Sequence, residues 1–187
     1  MEVVLASKSP RRLQLLQAAG FAVEVRPSHV DETPLAGESV VDMVQRLCRL
    51  KAEACQVEGH PVIAADTLVS LEGEALGQPV DMSEARKMIQ LLSGREHQVF
   101  TAVCVRLGDN ILDGMMETRV RFRDIDESEL DIYLEHNEVF DKAGAYAIQA
   151  GAASFIRSID GPMDNVIGLP VVLTKGLLME LKREGTA

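Results

Sequence analysis

The feature that most constrains the fold is the apolar run Val62-Ile-Ala-Ala-Asp-Thr-Leu-Val69, which contains a single carboxylate, Asp66. A run of this composition predicts a β-strand that is buried on both faces. Strands of this kind belong to sheets whose two faces are covered by other elements. The run therefore predicts a layered protein, and it places one acidic group inside the core.

Hydrophobic periodicity predicts strands and helices in alternation along the chain. The predicted strands cover residues 2–6, 22–26, 61–71, 97–107, 111–123 and 153–159. The predicted helices cover residues 10–19, 39–56, 82–92, 127–136 and 170–182. The segment Leu107-Gly-Asp-Asn-Ile111 is typical of a tight hairpin turn, which requires antiparallel neighbours. The expected class is therefore α/β, with α+β as the alternative, built on a mixed sheet. Since no long linker or repeat interrupts the chain, we expect one domain over residues 1–187.

The charge balance limits the partners of the chain. Asp and Glu outnumber Lys and Arg by 29 to 19, which gives a net charge of −10. Broad nucleic-acid binding needs a basic surface, so no nucleic acid is expected as a partner. A phosphate-bearing substrate would be repelled at long range, and it therefore requires clustered local cations, a divalent metal, or both.

The apolar and cysteine patterns indicate the compartment. The opening run Glu2–Ala6 is too short for a signal peptide or a membrane span, so we expect a cytoplasmic protein with no membrane partner. Cys48, Cys55 and Cys104 are odd in number and have no CxxC spacing. We therefore expect them to be core residues, and neither disulfide partners nor zinc ligands.

The segment Ala6-Ser-Lys-Ser-Pro-Arg-Arg12 joins the first predicted strand to the first predicted helix. Free N–H groups and the positive end of the helix dipole favour an anion at such a point. Two hydroxyls and three cations would surround it, from Ser7, Ser9, Lys8, Arg11 and Arg12. A capped helix with solvated basic residues is the alternative interpretation.

Two charges are expected in apolar surroundings. Lys51 falls within the apolar face of helix 39–56, so its ammonium either meets an anion or extends to solvent at the helix end. Asp66 must meet a metal, a cation or strong donors, and buried carboxylates are typical of general bases and metal ligands. A structural ion pair is the alternative for Asp66. Asp31 and Glu32 would add oxygen ligands that suit magnesium or manganese, unless they are simply solvated in their loop.

Two glycine-containing segments follow later in the chain. Asp141-Lys-Ala-Gly-Ala-Tyr-Ala-Ile-Gln149 has small residues that allow a ligand to approach the backbone, and Lys142 and Gln149 offer donors. The segment 160–170 is interpreted as a loop that leads into the last helix. Taken by itself, each segment is interpreted as a turn and not as a binding site.

Taken in order, these segments resemble the Maf family of nucleotide pyrophosphatases. The resemblance covers essentially the whole chain, and its most specific parts are the ASKSPRR and DKAGAYAIQ motifs. The matching stretches are residues 5–12, 31–32, 51–52, 65–67, 93–99, 101–102, 141–149 and 161–170.

The resemblance implies an ITPase-like α/β fold, in which an elongated mixed sheet and flanking helices form a central nucleotide cleft. It implies hydrolysis of a nucleoside triphosphate between the α- and β-phosphates, with Mg²⁺ or Mn²⁺ as the metal. The terminal glutamine of DKAGAYAIQ implies the branch that acts on dTTP and UTP, as distinct from the branch that acts on 7-methyl-GTP. A homodimer is a further expectation that comes from the family alone.

The family pattern also assigns roles to residues of this chain. It makes Asp66 the proton acceptor that activates the attacking water, and it makes Glu32 and Asp66 the metal ligands. It assigns substrate specificity to Arg11, Thr67 and Gln149. It assigns the phosphate charge to Ser7, Ser9, Arg12, Lys51 and Lys142.

Two other functions stay open at this point: a house-cleaning hydrolase of modified nucleotides, and a nucleotide-binding regulator of septum formation or cell division. The chain also departs from the family at Gln78, where a lysine usually precedes the proline. Glutamine donates a hydrogen bond but cannot neutralise charge, so we expect a lower rate or a stronger metal dependence.

Overall fold

The computed structural model describes residues 1–184 and has the mixed α/β architecture that the sequence predicts. The strands are β1 (Glu2–Leu5), β2 (Ala22–Val25), β3 (Val62–Leu71), β4 (Glu74–Leu76), β5 (Glu96–Leu107), β6 (Asn110–Phe122) and β7 (Ile156–Asp160). The α-helices are α1 (Pro10–Ala18), α2 (Val40–Ala54), α3 (Met82–Leu92), α4 (Glu127–His136), α5 (Met163–Ile167) and α6 (Val171–Glu184). Short 3₁₀ turns cover Ala143–Ala145, Ile148–Ala150 and Ala152–Phe155.

The seven strands form one sheet in the order β2-β1-β3-β5-β6-β7, and β4 pairs with β3. Strand β1 is parallel to both β2 and β3, and Leu5 lies opposite Ile63. Strand β4 is antiparallel to β3, and β7 is antiparallel to β6. Strands β5 and β6 are joined by the two residues Gly108 and Asp109, with Gly108 at a φ of +61°, which is the predicted hairpin turn. The sheet is therefore mixed, as predicted.

The chain divides into two compact units, each with its own hydrophobic core. The first unit comprises Met1–Thr67, Thr101–Met116 and the described residues from Gly168 to 184. The second comprises Leu68–Phe100 and Glu117–Ile167. The first core is built from residues such as Leu5, Leu16, Ile63, Val103 and Leu178, and the second from residues such as Ile89, Leu92, Val120, Phe122 and Leu130. A single domain over 1–187, and a central cleft, stay predictions.

Local signals determine where most helices begin. The side chains of Ser9, Ser39, Asp81 and Asp126 each accept a hydrogen bond from a backbone N–H in the first turn of the helix that follows. Gly94, just past α3, has a left-handed φ of +70°, which is typical of a glycine that follows the end of a helix. These helix ends agree with the predicted boundaries, because a capping residue bonds only to the helical turn next to it in the sequence.

Three elements differ from the prediction. The strand expected over 153–159 begins only at Ile156, because Gly151 at a φ of +86° starts the 3₁₀ turn Ala152–Phe155. The loop expected over 160–170 contains the short helix Met163–Ile167. The strand Glu74–Leu76 was not predicted, since three residues are too few for periodicity to reveal.

The three cysteines are buried free thiols, as the sequence predicted. Burial raises the pKa of Cys104 to about 12, so this thiol stays protonated.

Among residues 1–184, none of the helices combines the length and the apolar character that crossing a membrane requires.

Candidate active site

The start of α1 is held by the two serines of the ASKSPRR motif. Ser9 caps the helix by accepting from the backbone N–H of Arg12 at 3.4 Å. The buried Oγ of Ser7 accepts from the N–H of Ser9 at 3.2 Å and from Nη1 of Arg12 at 3.1 Å. The helix cap of the alternative interpretation is thus confirmed, but Arg12 is not a solvated residue, because its guanidinium is hydrogen-bonded to protein atoms. The phosphate-binding role assigned to Ser7, Ser9 and Arg12 stays a prediction.

Arg12 links three distant parts of the first unit. Its Nε donates to the carbonyl of Gly168 at 2.8 Å, and its Nη2 donates to Oγ1 of Thr67 at 3.0 Å. Gly168 has a φ of +122°, and a Cβ there would lie 3.6 Å from Nε of Arg12. Burial lowers the pKa of Arg12, and the nearby negative charge of Asp66 opposes that shift. These contacts fix the guanidinium beside the first residues of α1.

Lys51 lies between two carboxylates. Its Nζ is 2.6 Å from Oδ1 of Asp66 and 2.9 Å from Oε1 of Glu32. Its side chain is 11% exposed, so the ammonium is largely withdrawn from water. The anion-partner interpretation of Lys51 is confirmed, and extension to solvent at the helix end is wrong because the carboxylates offer stronger compensation.

Asp66 presents one paired and one unpaired oxygen. Its Oδ1 accepts a hydrogen bond from the ammonium of Lys51. This contact is the structural ion pair that the sequence offered as the alternative for Asp66. Within residues 1–184 its buried Oδ2 has no hydrogen-bond partner. Burial raises the pKa of Asp66, while the charges of Lys51 and Arg12 act in the opposite direction. An unpaired buried carboxylate oxygen is a chemical acceptor for a proton or a cation.

The loop that carries Glu32 is fastened to α2. Arg46 of α2 donates to the carbonyl of Thr33 at 3.2 Å and forms a two-pronged pair with Glu38. Asp31 accepts from the N–H and the hydroxyl of Thr33 at 2.9 and 2.6 Å, and these hydrogen bonds lower the pKa of Asp31. The carboxylate of Asp31 is therefore occupied by hydrogen bonds within the turn. Glu32 has 56% of its side chain exposed, and its carboxylate lies next to the ammonium of Lys51.

The donor set fits a hard divalent cation. Glu32 and Asp66 share the ammonium of Lys51, so their carboxylates lie close together, and one buried oxygen of Asp66 is uncommitted. The part of the chain described here contains no group of three or more His, Cys, Asp or Glu residues suited to a metal. Mg²⁺ and Mn²⁺ are commonly held by one or two carboxylates together with waters and substrate phosphates, which two residues can provide.

Thr67 follows Asp66 and is tied into the same network. Its hydroxyl accepts from Arg12 and lies 3.0 Å from the hydroxyl of Thr101 on β5. No role was predicted from the sequence for Thr101 or for the carbonyl of Gly168. The only signal for them was that both lie in stretches that resemble the family, residues 101–102 and 161–170. Arg11, the other predicted specificity residue of this unit, is half-buried on α1.

The other two predicted site residues belong to the second unit. Lys142 is 8% exposed and donates to the adjacent Asp141. Gln149 is exposed in the turn Ile148–Ala150. The N–H of Gly144 donates to the carbonyl of Gly77 at 3.0 Å, which fastens this segment beside the exposed Gln78. The predicted roles of Lys142 and Gln149 stay predictions.

Comparison with known proteins agrees with these observations. The family described as "Maf-like protein" matches residues 2–181. A dTTP/UTP pyrophosphatase of Anaeromyxobacter dehalogenans is 47% identical over 94% of this chain and 92% of that relative. A dTTP/UTP pyrophosphatase of Nitrosomonas europaea is 44% identical over 95% of this chain and 93% of that relative.

A solved structure supports the fold. A HAM1 protein from Coxiella burnetii superposes with a TM-score of 0.51 at 16% identity, and all of both chains is covered. At that identity the likeness concerns the fold alone. The ITPase-like α/β class expected from the sequence is confirmed.

Proposed function

The chain belongs to the Maf family, and on this premise we propose that it is a nucleoside triphosphate pyrophosphatase that hydrolyses dTTP and UTP. The products are the nucleoside monophosphate and pyrophosphate. The observation that carries the proposal is Asp66, a buried carboxylate with one oxygen on the ammonium of Lys51 and the other without a partner among residues 1–184.

The chemistry assigned to Asp66 is that of a general base. A water molecule attacks the α-phosphorus, and the bond from this phosphorus to the oxygen that bridges to the β-phosphate breaks. Pyrophosphate leaves with the bridging oxygen, and Oδ2 of Asp66 accepts the proton of the water. The ammonium of Lys51 holds Oδ1 at 2.6 Å and so keeps the carboxylate in one orientation.

Positive charge for the phosphates comes from several sources in this proposal. A divalent metal, when bound by Glu32 and Asp66, supplies charge that stabilises the phosphate oxygens. Arg12 and Lys51 supply fixed cations in the first unit, and we assign Lys142 the same role in the second. Such positioned charge overcomes the net charge of −10, which acts only at long range and is screened by salt.

We assign the choice of base to Arg11, Thr67 and Gln149. A glutamine amide carries both a donor and an acceptor, which matches the edge of uracil or thymine. Gln149 is exposed and is therefore accessible to a ligand. A cytoplasmic location is part of the same proposal, since that compartment holds the nucleotide pool and keeps the three buried thiols reduced.

The first experiment measures pyrophosphate release from dTTP, UTP, CTP, GTP, 7-methyl-GTP and ITP, with Mg²⁺ or Mn²⁺ and with EDTA as control. We expect metal-dependent turnover of dTTP and UTP. Activity on 7-methyl-GTP would keep the chemistry and overturn the assignment of the base. Turnover mainly of ITP or modified nucleotides would support the house-cleaning hydrolase, and binding without turnover would support the regulator.

The second experiment substitutes the proposed base. Asp66→Asn should lower kcat by at least about a hundredfold, because the amide cannot accept the proton of the water. Nucleotide binding, measured by calorimetry, should stay close to that of the unaltered protein. The matched control is Asp113→Asn, which makes the same chemical change at an exposed position of the same unit. Near-normal turnover by Asp66→Asn would remove Asp66 from the mechanism.

A further inference from the structure

The segment that carries Lys142 and Gln149 contains a turn that its own residues do not favour. Gly144 and Ala145 have φ values of +68° and +62°. Glycine adopts this left-handed conformation freely, but Ala145 has a Cβ, which makes the same conformation unfavourable. Ala145 is also fully buried. The turn therefore depends on contacts from neighbouring elements.

The neighbour that acts on the next residue is His97, near the start of β5. His97 is fully buried, and its Nε2 is hydrogen-bonded to the hydroxyl of Tyr146 at 2.8 Å. The two rings meet edge to face with centroids 5.5 Å apart, and the His97 ring meets Phe122 in the same way at 4.9 Å. Tyr146 directly follows Ala145, so this contact restrains the exit from the left-handed turn.

Two backbone contacts complete the restraint. The N–H of Ala147 donates to the hydroxyl of Tyr133 on α4 at 3.3 Å. On the other side of the turn, the N–H of Gly144 donates to the carbonyl of Gly77 at 3.0 Å. Ala145, the residue in the unfavourable conformation, therefore lies between neighbours that are hydrogen-bonded to β5, to α4 and to the 77–79 segment.

A histidine is not needed at position 97 for packing. The ring of His97 packs edge to face against the rings of Phe122 and Tyr146, contacts that phenylalanine also makes, and within residues 1–184 the Nδ1 of His97 has no hydrogen-bond partner. Burying a half-satisfied imidazole costs free energy that phenylalanine would avoid. What the imidazole adds is a directed hydrogen bond to Tyr146, which selects one position for the segment.

We infer that His97 is a positioning residue for the proposed reaction: through Tyr146 it holds the turn that carries Lys142 on one side and Gln149 on the other. The inference rests on the proposed function, because Lys142 and Gln149 act there on phosphate and base. His97 itself touches neither substrate nor metal in this account.

The test uses the full chain with His97→Phe, Tyr146→Phe, the double variant, and His97→Gln. Phenylalanine keeps the ring and removes the hydrogen bond, whereas glutamine places an amide nitrogen near the position of Nε2. We expect either single substitution to lower kcat/KM for UTP by about tenfold to a hundredfold, with a smaller preference for UTP over CTP. The double variant should lose no more than the single variants, because both remove the same contact. His97→Gln should recover most of the loss.

Hydrogen exchange gives a readout that does not require turnover. Amides of residues 142–149 should exchange faster in His97→Phe and Tyr146→Phe, and should be slow again in His97→Gln. Val120→Ala is the matched control, since it removes core volume from the same hydrophobic cluster without removing a hydrogen bond. It should leave kcat/KM and the exchange of residues 142–149 near the values of the unaltered protein.

The two readouts separate the inference from the proposed function. If the unaltered protein shows no turnover, the proposed function fails, and exchange alone decides whether His97 holds the segment. Unchanged exchange in Tyr146→Phe, which keeps the aromatic packing, would overturn the inference whatever the activity. So would a loss of activity in Val120→Ala equal to that in His97→Phe, because general destabilisation would then explain both.

Discussion

Acidification should destabilise this protein through His97, whose imidazole is fully buried in the second unit. Burial lowers the pKa of His97 from 6.5 to about 4, because the charged ring would lose its hydration. The unfolded chain therefore binds a proton at a higher pH than the folded chain does. The resulting contribution to stability is present above pH 6.5 and is lost as the pH falls toward 4.

The size of the effect follows from the two pKa values. Integration of the proton-binding difference gives a loss of about 2 kcal/mol between about pH 7 and about pH 5, and about 3 kcal/mol by about pH 4. Stabilities of folded domains are typically about 5–15 kcal/mol, so a loss of this size is easily measured.

The assay is urea unfolding at a series of pH values, with His97→Gln as the reference protein. Other groups titrate in both proteins, so the informative quantity is the difference between their unfolding free energies. The variant should lose less stability on acidification than the unaltered protein. From about pH 7 to about pH 5, the difference between their unfolding free energies should therefore change by about 2 kcal/mol in favour of the variant. If the unfolding free energies of the two proteins fall equally with pH, the burial of His97 does not lower its pKa, and the reasoning is refuted.

Three further substitutions probe the site and its supports. Lys51→Met should destabilise the protein by about 3–5 kcal/mol in urea unfolding, because it leaves the buried Asp66 carboxylate without its cation. Gly161→Ala should cost at least about 2 kcal/mol in the same assay, since its φ is +123° and the new Cβ would lie 2.7 Å from Oγ1 of Thr118. Gln78→Lys should raise kcat in the pyrophosphate assay, because it adds the positive charge that the family usually has there.

Each of these variants has a matched control. Arg49→Met removes an exposed cation from the same helix as Lys51 and should cost less than about 1 kcal/mol. Gly73→Ala also places alanine at a positive φ, +88°, but meets nothing within 4 Å, so it should cost less than Gly161→Ala. Gln78→Met removes the amide without adding charge. Equal losses within either of the first two pairs, or a lower kcat for Gln78→Lys than for Gln78→Met, would contradict the corresponding explanation.

Much of the candidate site was accessible from the sequence because its signals are local. Lys51 was found from helical periodicity alone, and the apolar residues around it left two alternatives for its ammonium, an anion partner or extension to solvent. Asp66 was found because a single carboxylate interrupts a strand that is buried along nearly its whole length. The same periodicity predicts that Ala54 lies on the buried face of the helix, and this is wrong, because Ala54 is exposed and Ala52 is buried instead. An error of two residues near a helix end is small in sequence but changes the buried face.

The contact partners of these residues could not be identified from the sequence. The sequence could not choose between an anion and solvent for Lys51, nor name the anion, and the structure supplies the carboxylates of Asp66 and Glu32. The contact of His97 with Tyr146 joins residues 49 positions apart. No local pattern marks such a pair, since it depends on the packing of β5 against a segment that follows much later.

The sequence by itself determined the class of the fold, the approximate bounds of most elements and the family, because periodicity, caps and motifs are encoded within short stretches of chain. Only the tertiary structure decided which groups meet. Arg12 contacts Thr67 and Gly168, which lie 55 and 156 positions away, and both contacts exist only when β3 and the segment between α5 and α6 are in place beside α1. The physical reason is that a hydrogen bond needs its two atoms within about 3.5 Å, and for residues far apart in the chain only the packed core brings them to that distance.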